Sequence, residues 1–134
     1  GDFFRAGQQL FRFERLRNLK GVHDPDGTRR LGSPFYQLWG RLCHIVGQGE
    51  IGQAWLLQEP KVELGRVRGQ ITFDQDRFMS GKHCALEFNQ DRAMLTDNTS
   101  TNGTFLRVQG TIPLAQGDLI LLGQHIFRID LGVV

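Results

Sequence analysis

The chain has 134 residues, of which 40% are hydrophobic, and a formal net charge of +2. This length fits one ordinary domain with a modest remainder, and the apolar fraction is enough for a packed core. The charge comes from scattered arginines without a polybasic block, so no nucleic acid partner is predicted. No apolar run is long enough to span a membrane. We therefore expect a cytoplasmic protein without a membrane partner.

The two cysteines, Cys43 and Cys84, lie far apart in apolar, strand-like contexts. Free cysteine is usually buried as a small hydrophobic residue, so both are predicted to be buried thiols. No cysteine or histidine spacing is typical of zinc. We expect no metal and no cofactor.

The first fourteen residues recur near the end of the chain. Residues 1–14 match residues 117–130 at an offset of 116, with six of fourteen positions identical and five more conservative. A solenoid repeats at about 20–50 residues, so this match favours one hairpin that occurs twice, at the ends of two domains in tandem. Residues 1–14 would then be the terminal hairpin of a preceding, truncated domain. A chance match is the alternative.

This N-terminal segment is expected to dock. An isolated two-stranded hairpin is marginal in water, and burial of a large apolar side chain is worth about 1.5–3 kcal/mol. We predict docking along an edge of the same domain, or in a second chain to make a dimer; disorder is the competing outcome. The apolar side chains concerned are Phe3, Phe4, Leu10, Phe11 and Phe13.

Residues 15–40 are predicted to be a linker. The segment is polar and rich in turn residues, and it shows no sustained alternation of apolar and polar positions. The apolar stretch at residues 35–39 is interpreted as an anchor that docks on the domain that follows.

Residues 41–134 are predicted to form an all-β domain. Apolar residues alternate over short runs, as at Cys84, Leu86 and Phe88, and turn residues separate the runs. Short strands at a spacing of about 8–12 residues indicate a β-sandwich or barrel. Residues 82–97 are predicted to be two strands joined by a hairpin at Asn89–Arg92.

Short polar motifs occur where predicted strands meet loops. Their side chains include a guanidinium, an ammonium, two hydroxyls and an amide, a set that suits the acceptor oxygens and negative charge of a phosphate group. Backbone N–H groups beside the loop glycines can add donors. The motifs are Gly65-Arg66, Ser80-Gly81-Lys82-His83, Ser100-Thr101-Asn102-Gly103-Thr104-Phe105, and Gly117-Asp118 with Gly123 five residues further on.

In this order the motifs resemble the signature of the forkhead-associated (FHA) family, Gly-Arg, Ser-x-x-His and Ser-x-Asn-Gly-Thr. The resemblance extends over about residues 41–131. It implies an eleven-stranded, two-sheet β-sandwich that binds phosphothreonine peptides through loops at one edge. It also implies a signalling role, with a phosphothreonine-containing protein as the partner. Taken with the repeated hairpin, it predicts that this domain is the second of a tandem pair.

The resemblance assigns roles to individual residues. Arg66, Ser80 and Thr101 would contact the phosphate, and Asn102 would bind the peptide main chain. Gly81 stands where many members carry a polar side chain, so a backbone contact would remain there and Lys82 would compensate. The predicted phosphopeptide-binding residues are Arg66, Ser80, Gly81, Lys82, Thr101 and Asn102; the predicted supporting residues are Gly65, His83 and Gly103.

Two other functions remain as alternatives. A phospho-independent interaction domain would keep the fold and use another surface. A hydrolase or transferase would need a general base or a metal near Arg66, and the sequence offers no convincing group, so we predict that the chain is not an enzyme. Asp74 and Asp76 are predicted to lie in a solvated loop.

Overall fold

The computed structural model describes residues 1–16 and 38–132. These residues form eleven strands, and no helix able to span a membrane occurs among them. The strands are β1 (Asp2–Ala6), β2 (Gln9–Arg15), β3 (Gly40–Val46), β4 (Glu50–Leu57), β5 (Lys61–Gly65), β6 (Ile71–Thr72), β7 (Cys84–Asn89), β8 (Arg92–Asp97), β9 (Thr104–Leu106), β10 (Leu119–Leu122) and β11 (His125–Arg128).

The strands are arranged in three sheets. A five-stranded sheet has the order β4-β3-β2-β1-β9, and a four-stranded sheet has the order β6-β5-β7-β8. Within the part of the chain that the structure describes, strands β10 and β11 pair only with each other. The predicted all-β sandwich is confirmed, and the two larger sheets form it, with the two-stranded sheet in addition. Two of the eleven strands, β1 and β2, come from the N-terminal hairpin and not from the predicted domain at residues 41–134.

The N-terminal hairpin, β1 and β2, completes the five-stranded sheet. Strand β2 is antiparallel to β3, with Phe11 opposite His44, and β1 is antiparallel to β9, with Phe4 opposite Leu106. The segment therefore docks in its own chain, which was one of the two predicted alternatives. It lies between two strands and not along an edge, so that detail of the prediction was wrong.

The core lies between the two larger sheets. Phe4 and Phe11 are 2% and 0% exposed, and their rings stack with centroids 5.1 Å apart. Buried residues from both sheets surround them, including Leu42 from β3 and Leu64 from β5. The N-terminal hairpin thus contributes to the centre of the sandwich.

Trp39 anchors the chain directly before β3. Its ring stacks on Phe88 at 5.3 Å, and its indole N–H donates to the Glu59 carbonyl at 2.9 Å. This part of the predicted anchor is docked. Residues 35–37 and most of the predicted linker lie outside the described residues.

Two local predictions are confirmed. Strands β7 and β8 are joined by a tight turn in which Gln90 and Asp91 have φ of 50° and 62°. Both cysteines are buried and unbridged. Burial raises the pKa of the Cys84 thiol to about 12, against the opposing effect of a hydrogen bond with Thr104.

Candidate functional site

Three loops meet at one end of the four-stranded sheet. Strand β5 ends beside the start of β7, because Leu64 pairs with Cys84 in an antiparallel ladder. Strand β8 ends at the same place, because Asp97 pairs with Cys84 from the other side. The loops that follow β5, precede β7 and follow β8 carry the motif residues, so the topology brings the predicted site together.

Hydrogen bonds join the three loops. The Arg66 N–H donates to the Ser80 carbonyl at 2.9 Å, and the Arg68 N–H donates to the Gly81 carbonyl at 2.9 Å. The Thr101 N–H donates to the Ser80 hydroxyl oxygen at 3.0 Å. Ser80 therefore holds the first and third loops against the second.

The close contact of the first two loops requires a glycine at position 65. A Cβ atom on Gly65 would lie 2.2 Å from the Gly81 carbonyl oxygen and 2.5 Å from that of Arg68. Both obstructing atoms are backbone, so no side-chain movement relieves the clash. Gly65 is thus fixed by backbone approach, next to the arginine of the motif.

His83 lies beneath the loops and is fully buried. Its Nδ1 accepts from the Ser80 N–H at 3.0 Å. Its Nε2 is 2.9 Å from the Gly103 carbonyl oxygen, which can only accept, so the ring proton is on Nε2. The ring connects the second loop to the third at Gly103, whose φ of 85° favours glycine.

Asp97 organises the third loop, although it lies outside the sequence motifs. Its carboxylate accepts from the Ser100 hydroxyl at 2.5 Å and the Thr104 hydroxyl at 2.7 Å, and the Ser100 hydroxyl oxygen accepts from the Gly103 N–H at 3.0 Å. Burial acts to raise the pKa of Asp97, but these hydrogen bonds outweigh it and the pKa is lowered. The sequence signal was an aspartate opening a turn of small polar residues.

The side chains expected to meet the ligand differ in their present contacts. Arg66 is exposed, and within the described part of the chain its guanidinium has no ion-pair partner. The Asn102 amide donates to the Phe78 carbonyl at 3.0 Å. The Lys82 ammonium is 3.2 Å from a carboxylate oxygen of Glu63 on β5. The structure thus links Arg66, Ser80, Thr101 and Asn102 through their loops and places Lys82 on an acidic neighbour.

Asp76 corrects one prediction. The residue was expected in a solvated loop, but it is 4% exposed. Its carboxylate accepts from the Gln8 N–H at 2.8 Å, the Gln9 amide at 2.9 Å and the Phe78 N–H at 2.9 Å. The prediction was wrong because the turn of the N-terminal hairpin covers this carboxylate. Asp74 is exposed, as expected.

Comparison with known proteins supports the resemblance. The family model described as FHA domain matches residues 62–123, which include every predicted site residue. The chain is 33% identical over 96 residues to the mouse (Mus musculus) E3 ubiquitin-protein ligase CHFR. That alignment covers 66% of this chain and 14% of the ligase, so the chain spans a small part of that relative. Residues 62–123 are therefore similar to FHA domains, and the all-β fold of the chain agrees with that similarity.

Proposed function

We propose that this chain binds phosphothreonine peptides through Arg66, Ser80, Thr101 and Asn102 and that it carries out no catalysis. The observation that carries the proposal is the set of hydrogen bonds that holds three loops around Ser80 at one end of the sheet. A site whose loops are already joined does not have to be ordered by the ligand, which lowers the cost of binding.

Each of these side chains has a hydrogen-bond donor or acceptor available for the ligand. The Arg66 guanidinium is exposed and offers two parallel donors to phosphate oxygens. The Ser80 hydroxyl accepts from Thr101 and keeps its own proton for donation to the phosphate. The Asn102 side-chain nitrogen donates to the Phe78 carbonyl. The side-chain oxygen of Asn102 therefore remains to accept from a peptide N–H. Lys82 attracts the phosphate once its ammonium leaves Glu63, and the backbone at Gly81 offers an N–H.

Titration of a phosphothreonine peptide and its unphosphorylated twin tests the proposal. We expect micromolar-class affinity, about −8 kcal/mol. Arg66→Ala removes a charge-assisted contact worth about 1.5–3 kcal/mol, so binding should weaken roughly ten- to a hundred-fold. Arg92→Ala is the matched control, because Arg92 is exposed at the opposite end of the β7–β8 pair. Equal affinity of Arg66→Ala and the parent would contradict the site assignment.

The same titration separates the alternatives. Equal binding of the phosphorylated and unphosphorylated peptides would indicate a phospho-independent interaction domain. Release of inorganic phosphate on prolonged incubation would indicate catalysis. We expect neither, since the site offers donors for a phosphate and its buried histidine uses both ring nitrogens for loop contacts.

We further propose that residues 1–14 are the terminal hairpin of a preceding FHA-like domain. The linker would lie within residues 15–40, between β2 and β3, and the FHA domain at residues 41–134. This proposal is supported by the match between residues 1–14 and 117–130, the final strands of the domain. Expression of the parent gene product and limited proteolysis would test it, since two protected fragments joined by a cleavable linker are expected.

A further inference from the structure

The two hairpins that match in sequence also match in structure. In the N-terminal hairpin Phe4 pairs with Phe11, and in the C-terminal hairpin, β10 and β11, Ile120 pairs with Phe127. Each residue of the second pair follows its counterpart by 116 positions. The glycine of each turn has a positive φ, 58° in the first hairpin and 62° in the second. The two hairpins therefore share register and turn conformation as well as sequence.

Their environments are opposite. The N-terminal hairpin occupies the gap between β3 and β9, which we call the slot, where Ala6 and Phe11 are 0% exposed. The equivalent residues of the C-terminal hairpin, Leu122 and Phe127, are 62% and 51% exposed. Large exposed apolar side chains in a contiguous patch mark an interaction surface. The slot holds one hairpin, so the other leaves its apolar face uncovered.

Recognition of the hairpin turn depends on Asp76. This buried carboxylate accepts from the Gln8 N–H, and a Cβ atom on Gly7 would lie 2.6 Å from its Oδ2. The slot thus requires glycine followed by a residue whose N–H points at Asp76. The C-terminal turn has the same two residues, Gly123 and Gln124. It therefore retains the glycine and the following N–H that Asp76 requires.

The C-terminal hairpin is also within reach of the slot. Residues 107–118 connect it to β9, one wall of the slot, and an extended chain covers about 3.3 Å per residue. The Arg5 guanidinium donates to the Gly123 carbonyl at 2.9 Å, so the turn already lies beside the occupied slot. A cleft of about 850 Å³ separates the two hairpins, lined by Phe3 on one side and Leu119 on the other.

We propose that the slot is a binding site for a β-hairpin of this sequence pattern and that the C-terminal hairpin of the same chain is its alternative occupant. Two differences favour the N-terminal hairpin: Leu122 is larger than the buried Ala6, and Arg15 forms contacts that Leu131 does not reproduce. Arg15 donates to the Trp39 carbonyl at 2.8 Å and its guanidinium lies 4.4 Å from the Phe88 ring centre. The N-terminal hairpin is the major occupant and the C-terminal hairpin the minor one.

Cysteine trapping in the full-length chain tests the exchange, because Cys43 lies in the wall of the slot. Arg12 is directly opposite Cys43 in the β2–β3 ladder. If the C-terminal hairpin enters in the same register, Arg128 takes that position. Under mild oxidation, Arg128→Cys should form an intramolecular disulfide with Cys43, identified by peptide mass in a monomer. Arg12→Cys reports the N-terminal hairpin in the same assay.

Ile126→Cys is the register control. Its counterpart Leu10 lies opposite Ile45 and not Cys43, so little disulfide is expected. Gly7→Ala in the Arg128→Cys background should raise the yield of the disulfide, since the new Cβ meets Asp76 and the positive φ is strained. We expect an increase in the population of about tenfold, which corresponds to about 1.4 kcal/mol.

The glycine pair gives a second measurement. With exchange, Gly7→Ala stays folded because the other hairpin replaces the damaged one, and Gly123→Ala lowers the unfolding midpoint far more in the Gly7→Ala background than alone. Additive shifts, an unfolded Gly7→Ala variant, or disulfide only between chains would each overturn the proposal. So would the lack of a disulfide in Arg128→Cys, with and without Gly7→Ala, when Arg12→Cys forms one readily.

Discussion

Ser80 connects the loops of the candidate site through three of its atoms. Its carbonyl oxygen accepts from Arg66, its hydroxyl oxygen accepts from Thr101, and its N–H donates to the ring of His83. His83 in turn donates to Gly103. Loss of the hydroxyl removes one exposed contact, whereas loss of the imidazole leaves two part-buried backbone groups without a partner. Burial of an unpaired polar group costs about 1–3 kcal/mol.

This asymmetry predicts different behaviour of two alanine variants. His83→Ala should lower both the melting temperature and the affinity for a phosphothreonine peptide. Ser80→Ala should lower the affinity, with a melting temperature close to that of the parent. Thermal unfolding followed by circular dichroism and the peptide titration measure the two effects. An unfolded Ser80→Ala variant beside a stable His83→Ala variant would show that the roles are reversed.

Gly81 offers a gain of function. A Cβ atom there would meet only the side chain of Val67, at 3.3 Å, and Val67 is 63% exposed and can move. Gly81→Arg therefore fits the fold and adds a guanidinium beside the proposed phosphate position. A charge-assisted contact less the ordering cost of a long side chain should tighten binding about three- to tenfold. Gly81→Ala is the control for the backbone, and unchanged affinity of the arginine variant would place the phosphate elsewhere.

The motif residues were predictable because each lies within a short stretch of sequence with a fixed spacing. Asp97 and Asp76 were not, for a physical reason. The partners of Asp97 are near in sequence, but small polar residues around an aspartate occur in most turns. Gln8, a hydrogen-bond partner of Asp76, lies 68 residues away in sequence. No local sequence pattern indicates that a hairpin turn covers this carboxylate.

At the scale of elements, the sequence predicted the two hairpins and the β7–β8 turn but not the place of the first hairpin. Alternation and turn residues determine a hairpin locally, whereas its place in a sheet depends on which strand edges are open. The strand edges that the first hairpin meets, those of β3 and β9, lie far from it in sequence; Phe4, for example, is opposite Leu106. Two hairpins with the same pattern of apolar and turn residues cannot be ranked for one site by that pattern alone.

Truncation of equivalent phenylalanines should separate the two hairpins. Phe11→Ala opens a cavity in the aromatic centre of the core, where Phe11 is 0% exposed, and Phe-to-Ala changes in cores cost about 3–5 kcal/mol. Phe127 is 51% exposed, so Phe127→Ala should change stability by less than about 1 kcal/mol. Urea unfolding measures both. Equal losses would mean that both hairpins are buried to the same extent in solution.

For the whole molecule, stability should depend on pH through His44. Burial lowers the pKa of His44 from its ordinary 6.5. As pH falls below that value, the unfolded chain binds a proton that the folded chain does not, so stability decreases until the folded pKa is passed. Carboxylates with lowered pKa, such as Asp97, add a second loss at more acidic pH.

Urea unfolding at pH values on both sides of the ordinary histidine pKa measures this slope. His44→Gln is the control, because it keeps a polar group facing Gln9, whose side-chain oxygen is 2.8 Å from the imidazole Nε2, and removes the titration. The variant should be less stable at neutral pH and show a flatter dependence between neutral and mildly acidic conditions. Parallel curves for the two proteins would contradict the assignment to His44.

The order of strands in the five-stranded sheet has a consequence for synthesis. From β1 to β4 the neighbours in space are also neighbours in the chain, so residues 2–57 can pair as each strand leaves the ribosome. At about 5–20 residues per second, the C-terminal hairpin appears several seconds later. The first hairpin can therefore pair with β3 before β9 is made and before the C-terminal hairpin is available. The order of emergence therefore selects the same occupant that packing favours.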